Sequence, residues 1–151
     1  VLCGAGKNAR AQIAAWLEKD ASKTYLALVA GVPEHTEGVI DEPLYDDRRK
    51  RPLEAQTHYR VVERLGAVTL LELHLITGRK HQLRRHMVQS SMPIVGDKRY
   101  GPKRPLRVPG FPGRLWLHAH TLTIGEKVIT AELPSELKTH RNALSADPVQ
   151  Q

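Results

Sequence analysis

The residues best suited to chemistry form a cluster of cations and one amide within seven positions of the chain. They are Arg79, Lys80, Gln82, Arg84 and Arg85, inside the segment LHLITGRKHQLRRHM of residues 73–87. Leu83 and Met87 are four positions apart and would anchor one face of a helix that carries polar groups on a rigid element. Guanidinium groups beside the positive end of a helix hold phosphates or carboxylates. A solvated helix face is the alternative interpretation, and the wider distribution of charge bears on that choice.

The positive charge of the chain is concentrated in one stretch. The whole sequence carries 23 Lys and Arg against 16 Asp and Glu, a net charge of +7. Residues 73–125 hold ten basic residues, Lys98 and Arg99 among them, and one acid, Asp97, so this span is +9 and the remainder −2. A one-sided positive field captures polyanions, which predicts nucleic acid as the partner. An anionic membrane surface is the alternative, but no long amphipathic helix or lipidation signal supports it.

Length and composition limit the class of protein. A chain of 151 residues with 40% hydrophobic content fits one domain with a hydrophobic core. The sequence has no run of about 18 apolar residues that would predict a membrane-spanning helix. The single cysteine, Cys3, excludes an internal disulfide and suits a reducing compartment, so we expect a cytoplasmic protein. We also expect a monomer. Aromatic residues, at 5%, are too few for a surface that stacks base after base.

The periodicity of the sequence predicts an α+β fold with a mixed, mainly antiparallel central sheet and flanking helices. Strands are predicted at residues 23–30, 38–44, 56–65, 67–76, 115–124 and 127–133. Hairpins are expected around Gly66 and around Gly125-Glu126, where glycine separates two apolar patterns. A helix is predicted over residues 9–17, and the basic helix follows Gly78.

Three segments are expected to lie outside these elements. Residues 45–53, which carry DDRRKR, are predicted to form an exposed loop. The cationic stretch that ends at Gly113 is rich in proline and glycine and too long for an ordinary connector, so it is expected to be functional or disordered. Residues 135–151 are predicted to be a polar tail that frays.

The histidines do not predict a metal site. His81 and His86 do not share a helical face well and lack a third ligand, and His118 and His120 point the same way on one strand without further ligands. No glycine-rich nucleotide-binding loop has the required spacing. We therefore expect neither a metal nor a cofactor.

Tyr25 is a candidate for base recognition. It shares a face of its predicted strand with Ala27 and Val29. A tyrosine beside small residues is usually part of a core, but an aromatic ring can also form the flat wall of a base pocket because it stacks on any base. The pattern leaves both interpretations open.

Five separately spaced motifs resemble the pseudouridine synthases of the ribosomal large-subunit synthase A family. They are KTYLALVAG, PLEAQTHYRVV, LLELHLITGRKHQLRRHM, MPIVGDKRYG and LWLHAHTLTI, within the span from Lys23 to Glu136. The motif TGRKHQLRRHM is similar to the corresponding motif of the tRNA pseudouridine synthase C branch. The resemblance implies a mixed sheet with flanking helices and the isomerisation of a uridine, flipped out of its stack in folded RNA, without a cofactor.

The resemblance also implies roles for individual residues. Tyr25 matches the tyrosine that covers the target base, and Arg84 matches the arginine that pairs with the catalytic aspartate and keeps it ionised. Arg79, His81 and Gln82 would border the site and its phosphates. The expected RNA contacts are Arg79, Lys80, His81, Gln82, Arg85, Lys98 and Arg99.

The sequence departs from the family pattern at the nucleophile. The family's aspartate lies in a His-Arg-Leu-Asp motif followed by Thr-Ser-Gly, and this chain has no such motif. We therefore expect residues 1–134 to be part of a catalytic domain, followed by the tail 135–151, without the nucleophilic aspartate. Arg84 is then expected to face an empty or solvent-filled site, its partner being absent.

Two functions remain open on this basis. The chain is either part of an RNA-modifying isomerase or an RNA-binding module that retains the cleft without the chemistry. A basic domain for other anions or for membranes is a more distant third. The sequence does not separate tRNA from ribosomal RNA as the substrate.

If the basic span contacts about five phosphates, log affinity for RNA should fall with log salt at a slope of about −3.5 to −4.5, because each neutralised phosphate releases counterions. Binding to a folded tRNA, measured by fluorescence anisotropy across a salt series, checks this expectation. A flat response between low and physiological ionic strength would contradict nucleic acid as the partner.

Overall fold

The computed structural model describes residues 21–124 and 126–146. The strands in this part are β1 (Ala21–Ala30), β2 (Glu37–Ile40), β3 (Leu44–Asp46), β4 (Arg51–Leu53), β5 (Thr57–Leu65), β6 (Val68–Leu75), β7 (Leu117–Ile124) and β8 (Lys127–Thr130). The helices in this part are α1 (Gln82–Gln89) and α2 (Ser135–Ala146). Cys3 and the helix predicted over residues 9–17 lie outside the described residues. None of the helices found between residues 21 and 146 is long and apolar enough to cross a membrane.

Six strands form one sheet, in the order β2-β5-β6-β1-β7-β8, and each pair of neighbours is antiparallel. The hairpins predicted around Gly66 and Gly125-Glu126 are confirmed as β5–β6 and β7–β8. β1 lies inside the sheet, between β6 and β7, and its residues Ala27, Leu28 and Val29 are fully buried. An interior strand that is covered on both faces needs an apolar run, and LALV supplies it.

Within residues 21–146, each face of the sheet is contacted by one of the two described helices. Tyr25, Leu73 and Tyr59 are direct partners in neighbouring strands and therefore share a face. Thr57 lies two positions before Tyr59, so it is on that face too, and it contacts α1. The other face carries Glu63, which α2 contacts. The described part is thus an α+β domain, as the sequence predicted.

Helix α2 packs on the core through a narrow apolar face. Leu137, His140 and Leu144 are buried, at spacings of three and four positions. Trp116 Nε1 donates a hydrogen bond to His140 Nδ1 at 3.1 Å, and His140 Nε2 donates to the carbonyl of Pro109 at 2.8 Å. The prediction of a fraying tail is wrong for residues 135–146. Three inward side chains anchor the helix, although most of its residues are polar.

A second prediction fails at residues 45–53, which were expected to be an exposed loop. Most of them belong to a separate two-stranded hairpin, in which β3 pairs with β4. Leu44 and Leu53 face each other in that hairpin, and both are buried. These two apolar residues lie at the ends of the charged run, so the composition of the run alone did not indicate a hairpin.

If α2 is part of the fold, Leu137→Ala should lower the free energy of unfolding by about 2–5 kcal/mol, because it leaves a cavity under a fully buried side chain. Lys138→Ala, at the next and exposed position, should change it by less than about 0.5 kcal/mol. Urea unfolding of both variants measures the difference. Equal, small effects would mean that α2 contributes little to the stability of the domain.

Candidate functional site

The turn between β6 and α1 is held by the buried side chain of Gln82. Its Oε1 accepts hydrogen bonds from Thr77 Oγ1 at 2.5 Å and from the Arg79 N–H at 3.1 Å. Its Nε2 donates to the Gln56 carbonyl at 2.7 Å and to Thr57 Oγ1 at 2.9 Å. All four hydrogen-bonding positions of the amide are therefore used inside the protein. Gln82 is only 2% exposed, so its burial does not support the RNA contact predicted for it, and its place is structural.

His86 fixes the same helix one turn further on. Its ring is fully buried, its Nδ1 lies 2.7 Å from Thr57 Oγ1, and its Nε2 lies 2.9 Å from the carbonyl of Glu42. Burial lowers the pKa of His86. A neutral ring fits both contacts, with Nδ1 accepting from the hydroxyl and Nε2 donating to the carbonyl. Helix α1 is therefore tied to β5 and to the segment before β3.

Arg84 makes a two-pronged ion pair with Asp97. Its Nη2 donates to Asp97 Oδ1 at 2.7 Å and its Nε to Oδ2 at 3.1 Å. The Asp97 side chain is 0% exposed, whereas that of Arg84 is 20% exposed. The expectation that Arg84 faces an empty site without a partner is wrong, because Asp97, thirteen positions further along the chain, occupies one edge of the guanidinium. Parallel hydrogen bonds of this kind fix both the position and the orientation of the arginine.

Both members of this pair are charged at neutral pH. Burial raises the pKa of the Asp97 carboxyl, but hydrogen bonds from Arg84 and from the Tyr100 N–H outweigh burial and leave this pKa below its usual value. The hydrogen bond that Arg84 donates to Asp97 raises the pKa of Arg84. The stabilisation that follows is present above the unfolded-state pKa of an aspartate and is lost as pH falls through the lowered folded-state pKa.

The loop that carries Asp97, MPIVGDKRYG, is shaped by close backbone approaches. Asp97 Oδ1 also accepts the N–H groups of Arg99, at 3.1 Å, and Tyr100, at 2.9 Å. At Gly101 a Cβ would lie 2.2 Å from the Asp97 carbonyl oxygen, and at Gly96, with φ +86°, it would lie 2.4 Å from that of Arg114. Only glycine fits at these two positions, so the spacing G-D-K-R-Y-G encodes the placement of the carboxylate.

Tyr100 joins this pair to His81. The Tyr100 hydroxyl lies 2.7 Å from His81 Nδ1, and the Arg84 guanidinium carbon lies 5.2 Å from the centre of the Tyr100 ring. Burial, followed by the nearby cations Arg99 and Arg84, lowers the pKa of His81. A neutral His81 accepts the Tyr100 hydroxyl proton at Nδ1 and keeps an N–H donor at Nε2. Four side chains thus form a single polar unit: His81 and Arg84 from the start of α1, and Asp97 and Tyr100 from the loop.

Tyr25 lies on the same face of the sheet as α1. Its partners in the neighbouring strands are Leu73 and Ala119, and the pairing of β1 with β7 shifts register between Thr24 and Tyr25. The Tyr25 side chain is partly buried against the core, whereas Ala119 is exposed. The ring therefore contacts the core and also borders solvent, so it meets the steric requirement for stacking on a ligand.

The remaining residues predicted to bind RNA divide into two kinds. Lys80, Lys98 and Arg99 are exposed. Arg85 donates from Nε and Nη2 to the Lys80 carbonyl and from Nη1 to the Tyr45 carbonyl, at 2.5–2.9 Å. Arg79 Nε donates to the Glu54 carbonyl at 2.7 Å. All three guanidinium nitrogens of Arg85 thus donate to backbone carbonyls. Only one of the three guanidinium nitrogens of Arg79 does so.

Two residues of this unit, Asp97 and Tyr100, were absent from the predicted site. Asp97 was counted as the one acid in a basic span, and Tyr100 was only part of a motif. An isolated acid inside a strongly basic stretch was the available signal, because a lone carboxylate among cations is usually paired with one of them.

Known proteins are similar to this chain in sequence and in fold. The family model described as RNA pseudouridylate synthase matches residues 1–89. The dual-specificity RNA pseudouridine synthase RluA of Escherichia coli K12 is 42% identical over 118 residues, which cover 71% of this chain and 52% of that protein. An RNA pseudouridine synthase of Chloroflexus aurantiacus is 40% identical over 131 residues, which cover 77% of this chain and 40% of that protein.

Solved structures agree with these matches. Human RNA pseudouridylate synthase domain containing 4 superposes with a TM-score of 0.73 at 26% identity, covering 93% of this chain and 69% of that one. Human RNA pseudouridylate synthase domain containing 1 gives a TM-score of 0.59 at 24% identity, which shows the fold alone. Against the curated relatives, the chain spans from 34% to 59% of their length. Since the family model matches more than half of the sequence, this chain belongs to the RNA pseudouridylate synthase family.

Proposed function

We propose that the protein containing this chain converts a specific uridine to pseudouridine in structured RNA, either tRNA or ribosomal RNA. The observation that carries the proposal is the partly exposed Arg84 guanidinium, oriented by the buried carboxylate of Asp97. In this proposal the nucleophilic aspartate comes from a segment outside this chain. The protein acts as a cytoplasmic monomer and needs no cofactor.

The reaction breaks the N1–C1′ bond of the uridine and forms a C5–C1′ bond. The base loses the proton on C5 and gains one on N1, so the composition of the RNA does not change. A carboxylate that reacts at the ribose or moves a proton must be ionised, although the cleft that receives a flipped base excludes water. A fixed cation beside it supplies that condition.

Arg84 is suited to be that cation. Asp97 accepts from its Nε and Nη2, and within the described residues no hydrogen bond donated by Nη1 is found. The Nη1 edge is therefore available to a second carboxylate. Asp97 itself is a poor nucleophile here, because both of its oxygens accept hydrogen bonds and its side chain has no exposure. Asp97 thus acts as a positioning residue.

Tyr25 and the exposed cations complete the proposed site. Tyr25 stacks on the target base with the side of its ring that is not packed on the core. Arg79, Lys80, His81, Lys98 and Arg99 contact the RNA, mainly at phosphates, since the cations among them have charge available at the surface. Gln82 and Arg85 instead hold α1 and the segments around it, because their hydrogen bonds are made inside the protein.

The second candidate is an RNA-binding module that retains the cleft without chemistry. It is favoured by the position of Asp97, which is committed to Arg84, so that the described residues offer no free carboxylate at that arginine. The two candidates differ in one measurement, the release of tritium from RNA labelled at uridine C5. A full-length protein containing this chain releases tritium if it is an isomerase, and binds RNA without release if it is the module.

Arg84→Lys in the full-length protein should lower the single-turnover rate of tritium release by about 100-fold or more, because lysine keeps the charge but loses the fork that fixes its direction. RNA affinity should change by less than about threefold, because the net charge is the same. Rapid-quench kinetics and anisotropy titrations separate the two quantities.

Arg85→Lys is the matched control for this variant. It makes the same substitution at the next position, where the partners of the guanidinium are backbone carbonyls. We expect its single-turnover rate to stay within about threefold of wild type. Equal, small effects at both positions would mean that Arg84 is only another phosphate contact.

Tyr25→Leu should lower the rate of isomerisation by about 5- to 150-fold, which corresponds to the loss of one base–aromatic stack. The melting temperature should change by only a few degrees. Tyr59→Leu is the control, since Tyr59 is on the same face two strands away and also packs on the core. Tritium release and thermal melting of both variants decide the question. If Tyr25→Leu unfolds the domain and the folded remainder stays active, the base-stacking role is wrong.

A further inference from the structure

The pairing of β1 with β7 contains a β-bulge directly beside Tyr25. Tyr25 pairs with Ala119, whereas Thr24 pairs with Thr121, so His120 is an extra residue in β7. An extra residue changes the face of the sheet on which the following side chains of its strand lie. Bulges are common next to functional sites, where they redirect side chains.

The bulge leaves an opening on the face of β7 that Tyr25 shares. In a regular strand, the residue two positions after Ala119 would lie on that face, but Thr121 lies on the opposite face because it pairs with Thr24. The next β7 side chain on the Tyr25 face is that of Leu122, one position further on. Beside Tyr25, β7 therefore offers only the methyl group of Ala119, which is exposed although β7 lies between two other strands.

Two histidines hold the bulged segment of β7 by binding one carbonyl. His118 Nε2 lies 2.8 Å and His120 Nδ1 lies 3.0 Å from the carbonyl oxygen of Ala131, which follows β8. A carbonyl oxygen only accepts, so both ring nitrogens donate, and both lone pairs of the oxygen are used. The Ala131 N–H in turn donates to the His120 carbonyl at 2.7 Å. The extra residue is thus bonded to the segment after β8 through its backbone and through its ring.

Both imidazole rings lie on the side of the sheet away from Tyr25. His118 pairs with Leu26, so its side chain is on the face opposite to Tyr25. The ring of His120 reaches the same carbonyl, and its centre is 6.1 Å from that of His118. Any effect of the two rings on a group stacked on Tyr25 therefore passes through the backbone of β7.

We infer that His118 and His120 are positioning residues for the target base, because they fix the bulge that keeps the space beside Tyr25 open at Ala119. The inference rests on the proposed function, in which the base stacks on Tyr25, and extends it to two histidines whose pattern predicted no metal site. A flat base needs a ring on which to stack and an unobstructed side by which to enter. The Tyr25 ring provides the first, and the bulge provides the second.

Ala119→Leu in the full-length protein tests the space itself. The larger side chain fills the opening, so the single-turnover rate of tritium release should fall by about 100-fold or more, because the base no longer reaches its reacting position. RNA affinity should stay within about threefold, since no charge is changed. Rapid-quench kinetics and anisotropy titrations measure the two quantities.

Ala143→Leu is the matched control for this variant. It makes the same substitution at an exposed position of α2, which contacts the other face of the sheet. Its rate should stay within about threefold of wild type. Equal rates for Ala119→Leu and Ala143→Leu would show that the reaction does not need the space beside Tyr25, and the inference would be wrong.

The histidines are tested by a pair of double variants. His118→Ala with His120→Ala should lower the single-turnover rate by about 10- to 100-fold, since a displacement of about 1 Å in a bound group is enough for such a loss. The melting temperature should change by a few degrees at most, because the two hydrogen bonds are at the surface. His118→Gln with His120→Asn places amide N–H donors near the positions of the ring nitrogens and should restore the rate to within about threefold of wild type. An amide pair as slow as the alanine pair, or an alanine pair as fast as wild type, would overturn the positioning role.

Nuclear magnetic resonance of the full-length protein separates this inference from the proposed function. With isotope-labelled alanine methyl groups, addition of a folded tRNA or of a ribosomal RNA hairpin should shift the Ala119 resonance with at least one of the two, because a base stacked on Tyr25 lies beside that methyl group. The Ala143 resonance should not move. A protein that shows this shift but releases no tritium would overturn the isomerase and leave the base space in place. A protein in which neither RNA shifts Ala119 would overturn the base space, whether or not tritium is released.

Discussion

The seating of α1 on the sheet is the constraint on which the site depends. The helix is short. Its buried polar groups contact β5, and its Leu83 and Met87 are buried in the core. A buried donor or acceptor that loses its partner costs about 1–3 kcal/mol, so sliding or rotating the helix would break several hydrogen bonds at once. Thr57 illustrates this, because its hydroxyl oxygen accepts from Gln82 and also lies against the ring of His86. Apolar packing alone would allow neighbouring registers, whereas this network allows one.

The loop that carries Asp97 and Tyr100 fixes the position of the charged groups of the site. Asp97 lies in a loop that follows the helix, and it accepts hydrogen bonds from one edge of the Arg84 guanidinium. Tyr100, from the same loop, contacts His81 and the guanidinium of Arg84. A buried ion pair of this kind gains less in stability than its short distances suggest, since both charges lose water. Its main effect is directional, because it fixes where the exposed side of the guanidinium points.

Local features of the fold were predictable from the sequence, and contacts between distant segments were not. The β5–β6 hairpin and α1 follow from alternation, a glycine at the turn, and apolar residues four positions apart. The pair of Arg84 with Asp97 joins a helix to a loop, and no periodicity connects them. Helix α2 was missed because its inward face amounts to Leu137, His140 and Leu144 in a polar segment. Charge counting also concealed the β3–β4 hairpin, whose apolar residues lie at its ends.

The position of β1 inside the sheet has a consequence for how the protein folds. β1 is the earliest described strand in the chain, yet it is completed only when Ala27 pairs with Leu117, ninety positions later. Its other neighbour, β6, begins about forty positions after β1 ends. Contacts between residues so far apart in sequence close large loops and slow folding. During synthesis, the strand that bears Tyr25 can therefore pair with β6 before β7 exists, but its other edge stays unpaired until β7 has been made.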